Sequence, residues 1–230
     1  MIDTDGASGP AAEPLGAALL DAVAVMDRLR SPGGCPWDLQ QTHDSLAPYL
    51  LEEAYEAFQA IEDGDLTSLQ DELGDVLLQV LFHARLAQEL PGEQRWTIDD
   101  VAAGLVAKLR RRHPHVFGDV DVSSADEVNR NWEQIKAAER GDRSPVANVP
   151  MSAPALTLAA KLQRKAGVEP SHDVTLLSAA VDQFVGDPSA DAAGELLWEA
   201  VAAMRANGID AEAALRARAR AFRDQILADG

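Results

Sequence analysis

The stretch LEEAYEAFQAIEDGDLTSLQDELGDV, residues 51–76, places acidic residues at helical spacing on both sides of a short turn. Its apolar residues recur every three or four positions, which predicts two helices, and Gly64 in EDGD predicts the C-terminal cap of the first. A connection this short makes the two helices antiparallel neighbours. We therefore expect a helical hairpin that brings two groups of acids together.

Five acidic residues of this hairpin are candidates for a functional site. Residues three or four apart share a helix face, so Glu53 and Glu56 point the same way, as do Glu72 and Asp75. Four carboxylates at one point repel each other unless a cation lies among them, and oxygen ligands suit Mg²⁺ or Mn²⁺ better than zinc. Glu52 lies about 100° around the helix from Glu53. The alternative is that these acids form solvated helix faces.

Helical periodicity extends over most of the chain, and no run alternates apolar and polar residues over strand length. The fold class predicted is therefore all-α, a helical bundle. Residues 113–124, HPHVFGDVDVSS, are predicted to be a loop, and Gly74 inside the second hairpin helix predicts close packing there. The helices are predicted at about 15–30, from Ser45 or Pro48 to 63, and at about 66–90, 97–113, 124–140, 155–166, 174–185, 190–206 and 210–227. Thr97 is predicted to start the helix at 97–113, and Ser124 and Glu127 have the spacing of a capping box at the start of the next.

Two helical domains are predicted, with a tail and a linker. Residues 1–14 have the composition of a disordered tail, 15–140 form the first domain, 141–154 a linker and 155–230 a smaller second domain. Residues 71–87 align without gaps with residues 191–207, and Gly74 pairs with Gly194. Glu72 is replaced by Ala192, and nothing around 174–186 reproduces the acids of 52–56. The second half is thus predicted to be a repeat that kept its packing and lost its site.

Composition excludes several classes of protein. The 230 residues carry 38 Asp and Glu against 20 Lys and Arg, a formal charge of −18, which argues against a general binder of nucleic acids or anionic membranes. Cys35 is the single cysteine, so no intrachain disulfide can form. The N-terminal sequence does not resemble a signal peptide, and no apolar run is long enough to span a bilayer. These features predict a cytoplasmic protein.

A basic cluster accompanies the acids. The stretch KLRRRHPHVF, residues 108–117, includes Lys108 and Arg112, and farther on Trp132 and Lys136 share a helix face. Compensation of a helix dipole, at about 0.3–1 kcal/mol per charge, accounts for one or two of these cations. Together with the acids, the cluster predicts a magnesium–phosphate site in which Lys and Arg hold a polyphosphate. Either Trp132 or Trp37 is a candidate to stack on a base.

Four blocks of this sequence resemble the MazG nucleoside triphosphate pyrophosphohydrolases: GCPWDLQQTHDSLAPYLLEEAYE (34–56), DELGDVLLQVLFHARLA (71–87), KLRRRHPHVF (108–117) and NWEQIKAAE (131–139). The resemblance covers about residues 18–140. It implies a four-helix-bundle MazG domain, and residues from about 150 onward look like a shortened, degenerate second MazG-like domain.

The resemblance also implies an activity and roles for the candidate residues. The expected reaction is Mg²⁺-dependent cleavage of NTPs or dNTPs, standard or damaged, between the α and β phosphates, as a house-cleaning enzyme of the nucleotide pool. The implied metal ligands are Glu53, Glu56, Glu72 and Asp75, with Glu52 or Glu53 guiding the attacking water. The positions matching nucleotide contacts are Lys108, Arg112, Trp132 and Lys136.

The resemblance further implies a homodimer or higher homo-oligomer in which both subunits shape the site, although the second half is an alternative internal partner. A different class of function also stays open from the sequence alone. A helical regulatory or scaffolding protein would bind nucleotide without turning it over. Release of pyrophosphate from dNTPs separates the two.

Overall fold

The computed structural model describes residues 15–229, and every regular element within that range is a helix. The all-α class predicted from the sequence is confirmed, while the predicted tail at 1–14 lies outside the described residues. Two 3₁₀ turns occur at Asp38–Gln40 and Gly92–Gln94. The α-helices are α1 (Ala17–Leu29), α2 (His43–Asp63), α3 (Leu66–Ala87), α4 (Ile98–Arg112), α5 (Pro114–Phe117), α6 (Ala125–Arg140), α7 (Ala155–Lys165), α8 (Thr175–Gly186), α9 (Ala190–Ala206) and α10 (Ala211–Asp229).

The hairpin of α2 and α3 is set by the turn between them. Gly64 ends α2 with a φ of 69°, a left-handed conformation that glycine adopts without steric cost, so the predicted cap is confirmed. Asp65 then begins α3, because its side chain accepts hydrogen bonds from the backbone N–H groups of Thr67 and Ser68. Only two residues separate the helices, which therefore pack side by side as antiparallel neighbours.

The start of α2 differs from the prediction. The helix begins at His43, before Ser45 or Pro48, because Thr42 caps it. The Thr42 hydroxyl accepts from the Ser45 N–H at 3.1 Å, and the Ser45 hydroxyl accepts from the Thr42 N–H at 2.9 Å. This reciprocal pair is a capping box in which Ser45 takes the place usual for Glu or Gln.

Other boundaries differ in smaller ways. The predicted loop at 113–124 contains the short helix α5, because Pro114 is preorganised for a first helical position and its carbonyl accepts from Gly118 N–H at 2.9 Å. At the start of α6, Ser124 caps Glu127 N–H as predicted. The Glu127 carboxylate, however, accepts from the N–H and hydroxyl of Ser123, each at 2.8 Å.

The chain divides into two compact units, one ending at Trp132 and one beginning at Glu133, a division that falls inside α6. The linker at 141–154 and the domain bounds on either side of it stay predictions. The first unit has a core that joins α1, α2, α3 and the start of α4. Its buried members are Met26, Leu46, Leu81, Phe82 and Leu86.

The second unit packs α7, α8, α9 and α10 around small side chains. The fully buried amide of Gln163 lies between α7 and α9, where it donates to the Trp198 carbonyl at 2.9 Å and accepts from Arg205 at 3.0 Å. A buried amide with both partners satisfied fixes the register of these two helices. Within residues 15–229, no helix is both long and apolar enough to cross a bilayer.

The predicted close packing at Gly74 is wrong for the described chain. A Cβ added there would meet no atom within 4 Å, because this face of α3 borders an open groove beside α1 rather than a neighbouring backbone.

Candidate metal and nucleotide site

The hairpin brings three acids of the two predicted pairs to one point. One carboxylate oxygen from each of Glu53, Glu56 and Glu72 lies within 4.8 Å of the others. The turn explains this register, because Glu56 and Glu72 are each eight residues from Gly64 and so lie at the same level of the antiparallel hairpin. Glu53 and Glu72 are partly buried, whereas Glu56 is exposed.

The electrostatics of the cluster disfavour its charged form. Partial burial raises the pKa of Glu53, and the nearby charges of Asp75, Glu56 and Glu52 raise it further. Partial burial also raises the pKa of Glu72, together with the charges of Glu56 and Asp75 and a hydrogen bond shared with Glu56. Asp75 therefore lies close enough to act on both half-buried carboxyls, and a cation would relieve the repulsion that all of these acids share.

The donor set fits a hard divalent cation. The three converging groups present only carboxylate oxygens, the ligands that Mg²⁺ and Mn²⁺ prefer, and no sulfur or imidazole joins them among the described residues. Mg²⁺ keeps several water molecules when bound and so needs only a few protein carboxylates. The fourth ligand predicted from the sequence, Asp75, is exposed on the next turn of α3 from Glu72 and is not one of the three converging acids, so its place in the set stays a prediction.

Trp37 packs against both helices of the hairpin. Its ring contacts Tyr49 of α2 and Phe82 of α3 edge-on, with centroid distances of 6.3 and 6.4 Å. Tyr49 is four residues before Glu53 and shares its face of α2. Half of the Trp37 side chain stays exposed, at 51%.

The basic candidates are distributed over α4 and α6. Lys108 is exposed on α4, as is every residue from Val101 to Arg111. At the end of α4, the Arg112 guanidinium stacks over the Trp132 ring at 5.5 Å. Lys136 donates to Glu133 at 2.7 Å. Arg112 and Trp132 are thus brought together, and Lys136 is engaged by an acid of its own helix.

One neighbouring group had no signal in the sequence spacing. His43 and His83 stack with their planes 7° apart and a hydrogen bond of 2.7 Å between their Nδ1 atoms. Trp96 stacks on His43, and the three rings line an open groove of about 350 Å³. Burial lowers the pKa of His83, and the nearby His43 lowers it further. The two histidines are 40 positions apart, so only the folded hairpin pairs them.

Comparison with known proteins identifies the family of this chain. The family model of the MazG nucleotide pyrophosphohydrolase domain matches residues 41–117. The nucleoside triphosphate pyrophosphohydrolase/pyrophosphatase MazG of Thermotoga maritima is 39% identical over 214 residues, which cover 88% of this chain and 81% of that protein. The chain belongs to the MazG family.

Two further relatives differ in length. An uncharacterised 26.1 kDa protein of Streptomyces cacaoi is 45% identical over 93% of this chain and 83% of its own length. A nucleoside triphosphate pyrophosphohydrolase of Mycobacterium tuberculosis is 46% identical over 73% of this chain but only 52% of its own length. The chain thus spans about half of that longer relative.

The region matched to the MazG domain contains all of the clustered acids together with Lys108 and Arg112. Trp37, Trp132 and Lys136 lie outside it. The family is one of hydrolases acting on phosphoric anhydrides.

Proposed function

We propose that this chain is a Mg²⁺-dependent pyrophosphohydrolase that cleaves NTPs or dNTPs between the α and β phosphates. The products would be a nucleoside monophosphate and pyrophosphate, and the role a house-cleaning one in the cytoplasm. The observation that carries the proposal is the convergence of Glu53, Glu56 and Glu72 within 4.8 Å in a chain of the MazG family.

In this proposal the metal is held by Glu53, Glu56, Glu72 and Asp75, with Mg²⁺ as the ion and Mn²⁺ as a substitute. When bound, the ion supplies charge neutralisation on the phosphates and lowers the pKa of water. The raised pKa values of Glu53 and Glu72 support this assignment, because a cation among these acids would offset both their partial burial and their mutual repulsion.

The remaining candidates act on the proton and on the phosphates. Glu52 or Glu53 accepts or guides the proton of the attacking water, a task suited to a carboxylate within reach of the reacting centre. Lys108, Arg112 and Lys136 stabilise the charge that builds on the transferring and leaving groups.

Trp37 and Trp132 are the proposed contacts for the nucleoside. A base stacking on an aromatic ring contributes about 1–3 kcal/mol without demanding one particular base. Trp37 suits this role, because it is half-exposed and contacts Tyr49, one turn from Glu53. Trp132 suits a place nearer the phosphates, because Arg112 stacks on it.

The direct test is to incubate the protein with standard and oxidised dNTPs, with Mg²⁺, Mn²⁺ or chelator, and to identify the products. Equal amounts of monophosphate and pyrophosphate, dependent on metal and lost in Glu53→Ala and Asp75→Ala, are expected. Nucleotide binding without pyrophosphate release would instead support the regulatory alternative. Release of inorganic phosphate would contradict cleavage between the α and β phosphates.

We also propose that the chain forms a homodimer or a higher homo-oligomer. The apolar side chains of α2 are only partly covered, since Leu50, Phe58 and Ile61 are between 39% and 58% exposed. Large exposed apolar surfaces mark interfaces. The apolar residues of α4 accompany the exposed Lys108, whose positive charge complements the acids of the hairpin. The exposed apolar side chains of α3 and α4 are Leu66, Leu73, Leu77, Leu78, Val80, Val101, Leu105, Val106 and Leu109.

A further inference from the structure

The loop that carries Trp37 is held to the rest of the first unit by several backbone and side-chain hydrogen bonds. We call residues 30–42, between α1 and α2, the α1–α2 loop. Its backbone folds back on the end of α1, where Cys35 N–H donates to the Leu29 carbonyl at 2.8 Å. Gly34 lies so close that an added Cβ would be 2.1 Å from that carbonyl oxygen. The start of the loop is therefore fixed against α1.

A buried arginine fixes the second half of the same loop. Arg30 is 6% exposed, and its guanidinium donates to the carbonyls of Asp38 and Gln41, which follow Trp37. The Gln41 side chain in turn donates to the Trp37 carbonyl at 2.9 Å. Arg30 therefore binds the backbone on the C-terminal side of Trp37 at two points.

The arginine is itself held from α3 by a two-point ion pair. The Glu89 carboxylate, just after α3, accepts from Arg30 Nε at 3.1 Å and from Nη2 at 2.9 Å. Arg85 donates to the same carboxylate at 2.9 Å and to Asp27 at 2.7 Å. A planar guanidinium bound at two points has a fixed orientation as well as a fixed position.

The aromatic contacts complete the connection. The Arg30 guanidinium lies 5.6 Å from the centre of the Phe82 ring, and Phe82 is one of the two rings against which Trp37 packs. The same arginine therefore orders both the backbone of the loop and one wall behind the indole.

We infer that Arg30, held by Glu89, is a positioning residue that sets the Trp37 ring as a platform for the nucleobase. The inference rests on the proposed function, because Trp37 can act as a stacking platform only if the protein binds a nucleotide. Neither Arg30 nor Glu89 touches substrate in this scheme. Their contribution is to keep Trp37 in the stacking orientation before the nucleotide arrives, which reduces the ordering that binding requires.

The first experiment compares Glu89→Ala with Glu93→Ala, which removes an exposed acid four residues farther along the chain, outside the Arg30 ion pair. Glu89→Ala should raise KM for a dNTP up to about tenfold, the scale of a lost aromatic stack, with kcat within about twofold. Glu93→Ala should leave both unchanged. Glu89→Gln, which keeps one acceptor for Arg30, should have a KM between those of the wild type and Glu89→Ala. Far-ultraviolet circular dichroism should confirm that each variant is folded.

A mutant cycle separates positioning from general destabilisation. If Glu89 acts through Trp37, Glu89→Ala should raise KM in the wild-type background but have no further effect on Trp37→Ala. An equal increase in KM in both backgrounds would overturn the inference, as would a KM that Glu89→Ala leaves unchanged.

A readout without turnover keeps the inference distinct from the proposed function. The protein contains four tryptophans, and labelling with 5-fluorotryptophan gives each a ¹⁹F resonance, with Trp37 assigned by its loss in Trp37→Phe. Glu89→Ala and Arg30→Lys should shift or broaden the Trp37 resonance while leaving that of Trp198 in place. An unmoved Trp37 resonance would overturn positioning by Arg30. If the resonance moves but wild-type protein releases no pyrophosphate, the proposed function fails and only the structural link stands.

Discussion

At the scale of single residues, the charged acids of the cluster lower the stability of the metal-free protein. Glu53 and Glu72 are half-buried among like charges, and burial and repulsion together raise both pKa values. Groups whose charged forms are disfavoured by folding reduce stability when they are charged. A bound cation would offset this cost, so the stability of the metal-free protein and the stabilisation by metal should change in opposite directions when one acid is neutralised.

We therefore predict that Glu72→Gln raises the melting temperature in the presence of chelator. It keeps the shape of the side chain and removes one of the repelling charges. The same variant should lose most of the stabilisation that Mg²⁺ gives the wild type and at least about a hundredfold of kcat/KM. Differential scanning fluorimetry with chelator and with Mg²⁺ measures the first two effects, with Glu93→Gln as the control. A lower melting temperature in chelator would contradict the repulsion.

The histidine pair predicts an effect of pH on stability. Burial and His43 lower the pKa of His83 below its usual 6.5, so the unfolded chain binds a proton that the folded chain resists. This contribution to stability is complete above pH 6.5 and is lost as the pH falls below that value toward the lowered pKa of the folded state. Denaturant midpoints measured from pH 7.5 to 5.5 should therefore fall more steeply for the wild type than for His83→Asn. Parallel curves would exclude a role for His83.

At the scale of elements, two glycines predict opposite outcomes for the same substitution. Gly34→Ala should destabilise the protein by about 1–3 kcal/mol, because its Cβ would lie 2.1 Å from the Leu29 carbonyl oxygen, a backbone atom that cannot move aside. Gly74→Ala should stabilise the isolated chain by up to about 1 kcal/mol, because its Cβ meets nothing within 4 Å and alanine favours helix. Urea unfolding of both variants at low protein concentration gives the comparison.

The sequence predicted the elements whose signals are local. Gly64, Thr97 and Ser124 sit where turn and cap chemistry is decided within four residues, and each acts as expected. The start of α2 was misplaced because Ser45 supplies the reciprocal bond of the capping box without the usual Glu or Gln. The role of Gly74 was wrong because it depends on what lies beside α3, which spacing along the chain does not encode.

The same division applies to the candidate site. The convergence of Glu53, Glu56 and Glu72 could be anticipated, because a tight turn converts i, i+3 spacing on two helices into one cluster. The pairs Arg30–Glu89 and His43–His83 join residues 59 and 40 positions apart, and neither carries a local pattern. Long-range polar pairs of this kind are fixed only when the core sets the helix positions.

At the scale of the whole molecule, each unit contains an internal contact made by an arginine at an equivalent position of the aligned sequences. Arg85 and Arg205 are paired positions of the repeat. In the first unit Arg85 on α3 reaches Asp27 on α1 at 2.7 Å, and in the second Arg205 on α9 reaches Gln163 on α7 at 3.0 Å. An equivalent contact between helix pairs in equivalent order supports the proposal that the second unit is a MazG-like half that kept its packing without the acids.

In the proposed oligomer, Lys108 of α4 acts either on the acids of its own copy or on those of a second copy, and activity measurements on heterodimers distinguish the two. If Lys108 serves the acids of a second copy, Glu72→Gln and Lys108→Ala impair the two halves of one composite site. A heterodimer of the two variants, coexpressed with different tags and purified on both, then has one site with both defects and one with none. Such a heterodimer should recover about half of the wild-type activity, as two-fold symmetry requires.

A matched heterodimer of Glu72→Gln with Glu56→Gln should stay inactive, because each copy then damages the acid half of its own site and no arrangement restores it. Equal inactivity of the Lys108→Ala heterodimer would place Lys108 in the same copy as the acids it serves. If no heterodimer can be purified, the exposed apolar faces of α2, α3 and α4 do not bind a second copy. The composite site then fails together with the oligomer, while pyrophosphate release by the wild type still tests the chemistry of the acid cluster separately.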